Sequence, residues 1–346
     1  MATPNFFEHN EIVSVISDVN PFQNFLLNFF GSEHLSDDEK IHFDRIQADN
    51  RISVFVNPRR PGQVAKQRGF SVDSYKPGYI KDKDTVDPKH VFRRRAGQPF
   101  NAPLSGPERY AAIVADLASL QVERLYRRLE LMAAQLLLNG QYTMAGDDIS
   151  VDVDFVRNSA LTKTLTGSAT WTAANTSVSP IQDIEDWLML TSAPVRTLII
   201  GKKAWQFLRK DPKFDKLIYV DLMTRGQAGL NQGPQGMQPS GDIYRGNLVS
   251  AGVDIYTYTN TYTDPTTGVE TAYIPDDAVI GVSESGFGYQ CFAPIYDAAA
   301  NYATMPYFLK NWQEDDPGVP YIMLQSAPLL AHTKINSTFG IRTGAV

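Results

Sequence analysis

Gly281, Val282, Ser283, Glu284 and Ser285 come one residue short of the sharp strand-to-helix turn that exposes a hydrolase nucleophile. The second glycine that such a turn needs stands at 286, so this stretch reads as a strand end. Gly286 and Gly288 imitate the opening of a dinucleotide loop. Cys291 occupies the place of the third glycine, however, and no helical run with an acidic residue follows in register. The five histidines, His9, His34, His42, His90 and His332, include no pair at ligand spacing, and Cys291 alone does not complete a zinc set. Asp147, Asp148, Asp152 and Asp154 have the oxygens for a calcium ion, but their alternation with Val153 and Phe155 reads more simply as the solvated face of a strand. No catalytic, cofactor or metal site is expected, and the chain reads as a non-enzyme.

The distribution of charge is more informative than these motifs. Residues 1–50 hold nine Asp or Glu against Lys40 and Arg45, about −7, whereas residues 51–95 hold twelve Lys or Arg against four acids, about +8. The whole chain carries only −6, which gives no support to a nucleic-acid binder held by a strong positive field. Arg59, Arg60, Lys66 and Arg68, then Arg93, Arg94 and Arg95, could meet phosphates. A single-strand binder also needs stacking aromatics, and only Phe70, Tyr75 and Tyr79 lie nearby. An acidic protein surface is the other partner to consider, and the chain supplies one in its own first fifty residues.

The elements that must position these groups follow from periodicity and punctuation. Phe22, Phe25, Leu26, Phe29 and Phe30 recur at helical spacing and form an apolar face that packs either on the main body or on another chain; Ser36 to Glu39 then mark a turn. Arg51 to Val56 alternates like a strand, and Tyr79, Ile80, Val86, Val91 and Phe92 suggest its return, with Pro- and Gly-rich chain between. This predicts a long hairpin with little core of its own, ordered by something outside its domain. Gly106 and Pro107 open a helix over 107–139, with an apolar stripe from Tyr110 to Leu136 and Asn139 and Gly140 as its stop. At 1.5 Å per residue it spans about 50 Å, a spine for a sheet packed on one side.

Beyond the spine, strands are expected at Ser150–Val156, Val195–Ile200, Val279–Val282 and Tyr321–Leu330, with helices after Ser179 and over Lys202–Arg209. Val253–Thr259 and Val269–Ile274 should flank the turn at 264–268, and residues 224–242 read as mobile. The order is α+β rather than a regular α/β alternation. A hydrophobic fraction of 43% and a charged fraction of 20% are those of a folded protein. Asp18, Asn20 and Pro21 break the apolar stretch Ile12–Phe30, so no membrane span is expected. The lone cysteine and the absence of a secretory signal point to maturation in a reducing cytosol.

Several segments together resemble the lambda-type major capsid proteins of tailed phages, the capsid protein E family. They are Phe29 to Ser32; Pro77 to Lys81 with Val86, Asp87, Pro88, Arg93 and Arg94; Gly140 to Gly146; Lys310 to Trp312; and Met323 to Leu329. The resemblance implies the major capsid fold shared by tailed phages and herpesviruses. Residues 1–50 would be an N-terminal arm and 51–100 an extended β-hairpin loop. Residues 101–179 would be a peripheral domain holding the spine helix and 180–300 an axial domain. Residues 301–346 would return to the peripheral domain, the last strand ending near Leu330. It also implies a homo-oligomer of hexamers and pentamers in an icosahedral shell around double-stranded DNA, made in the host bacterial cytoplasm and found in the virion.

A separate scaffolding protein, a decoration protein and a portal at one vertex are the implied partners, with only non-specific proximity to DNA. No isopeptide cross-link through Lys66, Lys76, Lys81 or Lys83 is expected. Phe22, Phe25, Phe29, Arg59, Arg60, Lys66, Arg68, Tyr79, Arg93 and Arg94 are the expected inter-subunit contacts, the acidic arm of one copy meeting the basic loop of another. On this account the first hundred residues find their order only by gripping adjacent copies. The alternatives are a decoration or tail-tube protein, or a cytosolic enzyme with an unrecognised site. A tail-tube protein should lack the long helix.

Overall fold

The computed structural model describes residues 24–46, 52–53, 55, 57, 59, 69–87, 105–146, 149–214, 241–248, 250–283, 288–314 and 318–345. Its longest element is helix α1, Gly106–Asn139, of 34 residues. Pro107 sits in the first turn, where it costs no hydrogen bond, and Glu108 closes a capping box by accepting from the Ser105 backbone N–H at 2.7 Å and hydroxyl at 2.8 Å. Gly140 ends the helix at φ 73°, its N–H donating to the Leu136 carbonyl at 2.8 Å. The buried stripe runs through Val114, Ala118, Val122, Leu125, Leu129, Met132, Leu136 and Leu137.

The stripe packs on a three-stranded antiparallel sheet whose central strand, Pro320–Ser326, pairs with Phe308–Gln313 on one side and Ile80–Thr85 on the other. Leu309, Ile322 and Leu324 meet the helix in one core. Gln121 ties the two layers, its amide donating to the Ile322 carbonyl at 3.2 Å and to Asp84 at 3.0 Å. The chain breaks at Ala327 and re-enters as Pro328–His332 in a different sheet. There it lies antiparallel to Gly288–Phe292, which is parallel to Ser32–Leu35.

A six-stranded sheet forms the other half, in the order Thr162–Thr164, Phe339–Arg342, Ala278–Val282, Thr197–Ile200, Val253–Tyr258, Asp242–Leu248. Helices α2, Pro180–Leu190, and α3, Lys202–Lys210, cover one face through Ile181, Ile184, Trp187, Ala204 and Leu208. Successive residues of a strand point to opposite faces. Leu198 and Ile200 therefore join the α2–α3 core, while Ile199, Ile280 and Val282 join the α1 core. Burial on both faces explains the unbroken apolar run of these central strands.

Several expectations about pairing are corrected. The hairpin among the described residues is Ile41–Ile46 with Phe70–Tyr75, and of the strand expected at 51–56 the described Ile52, Ser53 and Phe55 lie in no strand. Ile80–Thr85 joins the sheet under α1 because its own pattern, with Ile80 the sole large apolar residue, offers no buried face to a hairpin partner. The turn at 264–268 is flanked by Thr261–Thr263 and Glu270–Ala272, since Val253–Tyr258 is taken up between two strands of the large sheet. Tyr321–Leu330 is two strands, and the last strand is Phe339–Arg342, paired in the six-stranded sheet beyond Leu330. Residues 24–46 and 69–87 are ordered within their own chain, so the first hundred residues do not depend wholly on adjacent copies. Val91, Phe92 and most of the stretch expected to be mobile lie outside the described residues.

Candidate assembly surfaces

The arm's root is fixed by one side chain of α1. Glu130, fully buried, accepts the backbone N–H of Phe25 at 3.1 Å and of Leu26 at 2.8 Å on Oε1, and that of Leu27 at 2.9 Å on Oε2. The Tyr258 hydroxyl donates to Oε1 at 2.8 Å. Three successive N–H groups converge on one carboxylate, so the short turn Leu27–Phe29 has its orphan donors satisfied from outside. Burial pushes the Glu130 carboxyl above its ordinary value, against the pull of these donors.

Phe25 lies against Tyr256, Tyr258 and Phe29, with ring centroids at 5.4, 5.7 and 5.6 Å. Of the two placements open to this apolar face, Phe25 and Phe29 take the one on the chain's own body. Phe30 fills the space above Gly288, where an added Cβ would come within 2.2 Å of its ring. It also stands edge-on to His332, which burial and Arg157 push down to about 4.

The loop's root is fixed in the same way. Tyr75 packs with Phe43 and Phe155, and its hydroxyl donates to the Asp154 carbonyl at 2.8 Å. The Tyr79 hydroxyl donates to Gln325 and accepts the Tyr296 N–H at 3.2 Å, so this residue also has partners in its own chain. Lys76 pairs with Glu39 of the acidic turn, an exposed contact between the acidic and basic stretches inside one copy.

Further out the picture changes. Ile52 is 90% exposed, Phe55 is fully exposed and Arg59 is exposed. Phe22, Arg60, Lys66, Arg68, Arg93 and Arg94 lie outside the described residues.

The serine, cysteine and aspartates with chemical potential take structural roles. Ser283 is buried and donates to the Ser337 hydroxyl at 3.0 Å. Cys291 is buried, which pushes its thiol up to about 11. Asp152 and Asp154 lie on the exposed face of the hairpin Gln141–Gly146 and Ile149–Asp154, Asp152 accepting from Thr143 at 2.6 Å. Sequence reasoning missed Glu130, whose signal was a carboxylate eight residues from Val122 and seven from Leu137 on the buried side of the helix. It also missed Arg157, which donates to the Leu137 carbonyl at 2.7 Å and to the Leu138 carbonyl, closing the end of α1. Nothing in the sequence near Arg157 points to a helix end so far upstream.

The same architecture occurs in the crystal structure of a prophage capsid protein from E. coli CFT073, with a TM-score of 0.75 at 20% identity, covering 98% of this chain and 99% of that one. A phage-related protein of Bordetella bronchiseptica RB50 shares it more distantly, with a TM-score of 0.53 at 13% identity and 99% of both chains covered. The fold is that of a phage capsid protein. The chain belongs to the phage major capsid protein E family, whose signature matches residues 9–342. It is 27% identical to the major capsid protein of Escherichia phage lambda over 318 residues, covering 88% of this chain and 89% of that one. It is 28% identical to that of Escherichia phage N15 over 320 residues, with the same shares covered.

Proposed function

We propose that copies of this chain close head to tail into hexamers and pentamers, and that these build an icosahedral head around double-stranded DNA. Surfaces that meet by rotation close into rings, and slight flexing lets one set of surfaces serve both ring sizes. The observation that carries this reading is the contrast within the loop. Its root is held by Tyr75 and Tyr79, while Ile52 and Phe55 stand in water. Apolar side chains held out on an anchored loop are what a contact with a neighbouring copy requires. In this reading Phe22, Arg59, Arg60, Lys66, Arg68, Arg93 and Arg94 touch neighbours, whereas Phe25, Phe29 and Tyr79 aim the segments that carry them.

Ion pairs between the acidic arm and the basic loop are exposed and screened by salt, so they select register while apolar burial supplies strength. Assembly takes place in the host bacterial cytoplasm with a separate scaffolding protein. A portal occupies one vertex, and a decoration protein takes the place of covalent cross-links in the mature virion. The chain itself catalyses nothing.

Two variants test the reading by electron microscopy of particles made beside the phage neighbours. Arg59→Glu with Arg60→Glu and Arg68→Glu should abolish shells, as should Ile52→Ser with Phe55→Ser, and both proteins should melt like the parent. Normal shells from either variant refute the role given to the loop.

A further inference from the structure

Helix α3 carries a basic face that no acid answers. Its exposed side chains are Lys202, Lys203, Gln206, Arg209 and Lys210, on the side away from buried Ala204 and Leu208. Among the described residues none of these four cations makes an ion pair, either with the acids of α2 or with any other. Asp211, next in the chain, is buried and spends its carboxylate on the Ser179 hydroxyl at 2.8 Å and the Lys213 N–H at 2.9 Å. A fifth cation, Arg245, reaches over from the edge strand Asp242–Leu248. It too lacks an ion pair among the described residues, and Arg209 stands close enough to act on it as a like charge. Cations gathered without counter-charges repel one another, and an outside anion relieves that repulsion.

Two of the five are held in place on rings. Arg245 lies over Trp205 at 5.5 Å with its Nε donating to the Thr257 hydroxyl at 2.8 Å, and Lys210 lies over Phe207 at 5.1 Å. Trp205 is itself wedged edge-on against buried Phe214 at 5.4 Å. Cations fixed this way lose little freedom when an anion arrives. With the rings engaged by the chain's own cations, the face offers a partner charge rather than the open apolar centre of a protein contact or a platform for a stacked base. The first-turn N–H groups of Lys203 and Ala204 go to the Asp276 carbonyl at 2.9 and 3.0 Å, so side chains and not the helix end are left to hold a phosphate. The stripe from Lys202 to Lys210 runs about 12 Å, a length over which one strand of a duplex presents about three or four phosphates.

We propose that α3 and Arg245 form the surface on which enclosed double-stranded DNA rests against the shell, through its phosphates and without sequence preference. This rests on the shell reading and turns the α2–α3 face of the six-stranded sheet toward the interior. DNA confined in a head needs no strong affinity to stay on such a patch, which accords with a chain of net charge −6.

The test combines Lys202→Glu, Lys203→Glu and Lys210→Glu, all at exposed positions, and separates by density the particles made beside the phage neighbours. Empty shells should form at the parent's yield while DNA-filled heads fall severalfold. A full yield of filled heads overturns the proposal. Loss of the empty shells as well, from a protein that melts like the parent, assigns the face to a neighbouring copy and also overturns it. Acetylation of the parent, mapped by mass spectrometry, supplies a readout free of any variant. Lys202, Lys203 and Lys210 should react severalfold more slowly in filled heads than in heads emptied of their DNA. Equal rates in the two overturn the contact: fast in both places α3 on the outer surface, and slow in both places it between copies. A parent chain that forms no shells removes the shell reading itself, a failure distinct from these.

Discussion

Glu130→Ala should be among the most damaging single substitutions in the chain. It removes the acceptor for the Phe25, Leu26 and Leu27 N–H groups and for the Tyr258 hydroxyl, in a place where Leu26 and Phe30 are wholly buried. Each buried donor left without a partner costs about 1–3 kcal/mol. The four do not add fully, because the root can lift and let water in at the expense of the burial of Leu26, Leu27 and Phe30. A loss of about 3–5 kcal/mol is expected, at the low end of what four orphaned donors would cost separately.

Glu130→Gln keeps the shape and one acceptor but turns an amide toward the Leu27 N–H, and should cost about 1–2 kcal/mol. Urea unfolding of the three proteins at matched concentration reads the difference directly, provided the slopes agree. A Glu130→Ala protein within about 1 kcal/mol of the parent would refute the idea that this carboxylate holds the root.

The pH dependence carries a sign that checks the same point. The folded-state value of Glu130 is raised, so between its ordinary and its raised value the folded chain keeps a proton that the unfolded chain releases. Its contribution to stability is present at low pH and is lost as pH climbs through the raised value. The parent's advantage over Glu130→Gln should shrink across that window.

Other outcomes follow from single residues. His332, depressed from 6.5 to about 4, is held neutral by the fold. Acidification from 6.5 to 4 should therefore cost about 3 kcal/mol that His332→Leu does not lose, measured as the pH dependence of the unfolding midpoint. Gly340→Ala places a Cβ 1.9 Å from the Leu138 carbonyl oxygen, backbone against backbone, and should lower stability by about 3 kcal/mol or more or leave the protein insoluble; a melting point equal to the parent's contradicts the close approach. Cys291, with its thiol pushed up to about 11, should resist a thiol-reactive dye at pH 8 until the chain is unfolded, and rapid labelling of the native protein would place it at the surface instead.

Helix α1 was legible because every local signal agreed: Pro107 at its start, the apolar stripe from Tyr110 to Leu136, and Gly140 at its end. The central strands at Thr197–Ile200 and Ala278–Val282 were legible for a different reason, as short apolar runs bounded by turns. The loop hairpin was not. Ile80–Thr85 alternates Lys and Asp, and the apolar face that orders it comes from Ile322 and Leu324 far along the chain, a debt that local periodicity does not record. Val253–Tyr258 was misassigned for a related reason: it pairs with Asp242–Leu248 just before it and with Thr197–Ile200 far upstream, and local periodicity does not record the second partner. Glu130 was hidden because three of its four donors are backbone groups, which have no sequence identity, and the fourth, Tyr258, lies 128 residues away. Alternation at Arg51–Val56 makes Phe55 look like one tooth of a strand, because it says which faces differ and not whether either is covered.

The two ends of α1 are held very differently. At Asn139 the rod is closed by Arg157 and pressed by Gly340 against the large sheet, whereas from Gly106 to Ile113 every side chain is at least partly in water. A beam fixed at one end and lightly loaded at the other is a cantilever. With about 50 Å of length, a tilt of roughly 5° at the fixed end swings the Ser105 tip through about 4 Å. Small adjustments near Leu138 are thereby converted into displacements large enough to matter at the opposite end of the molecule.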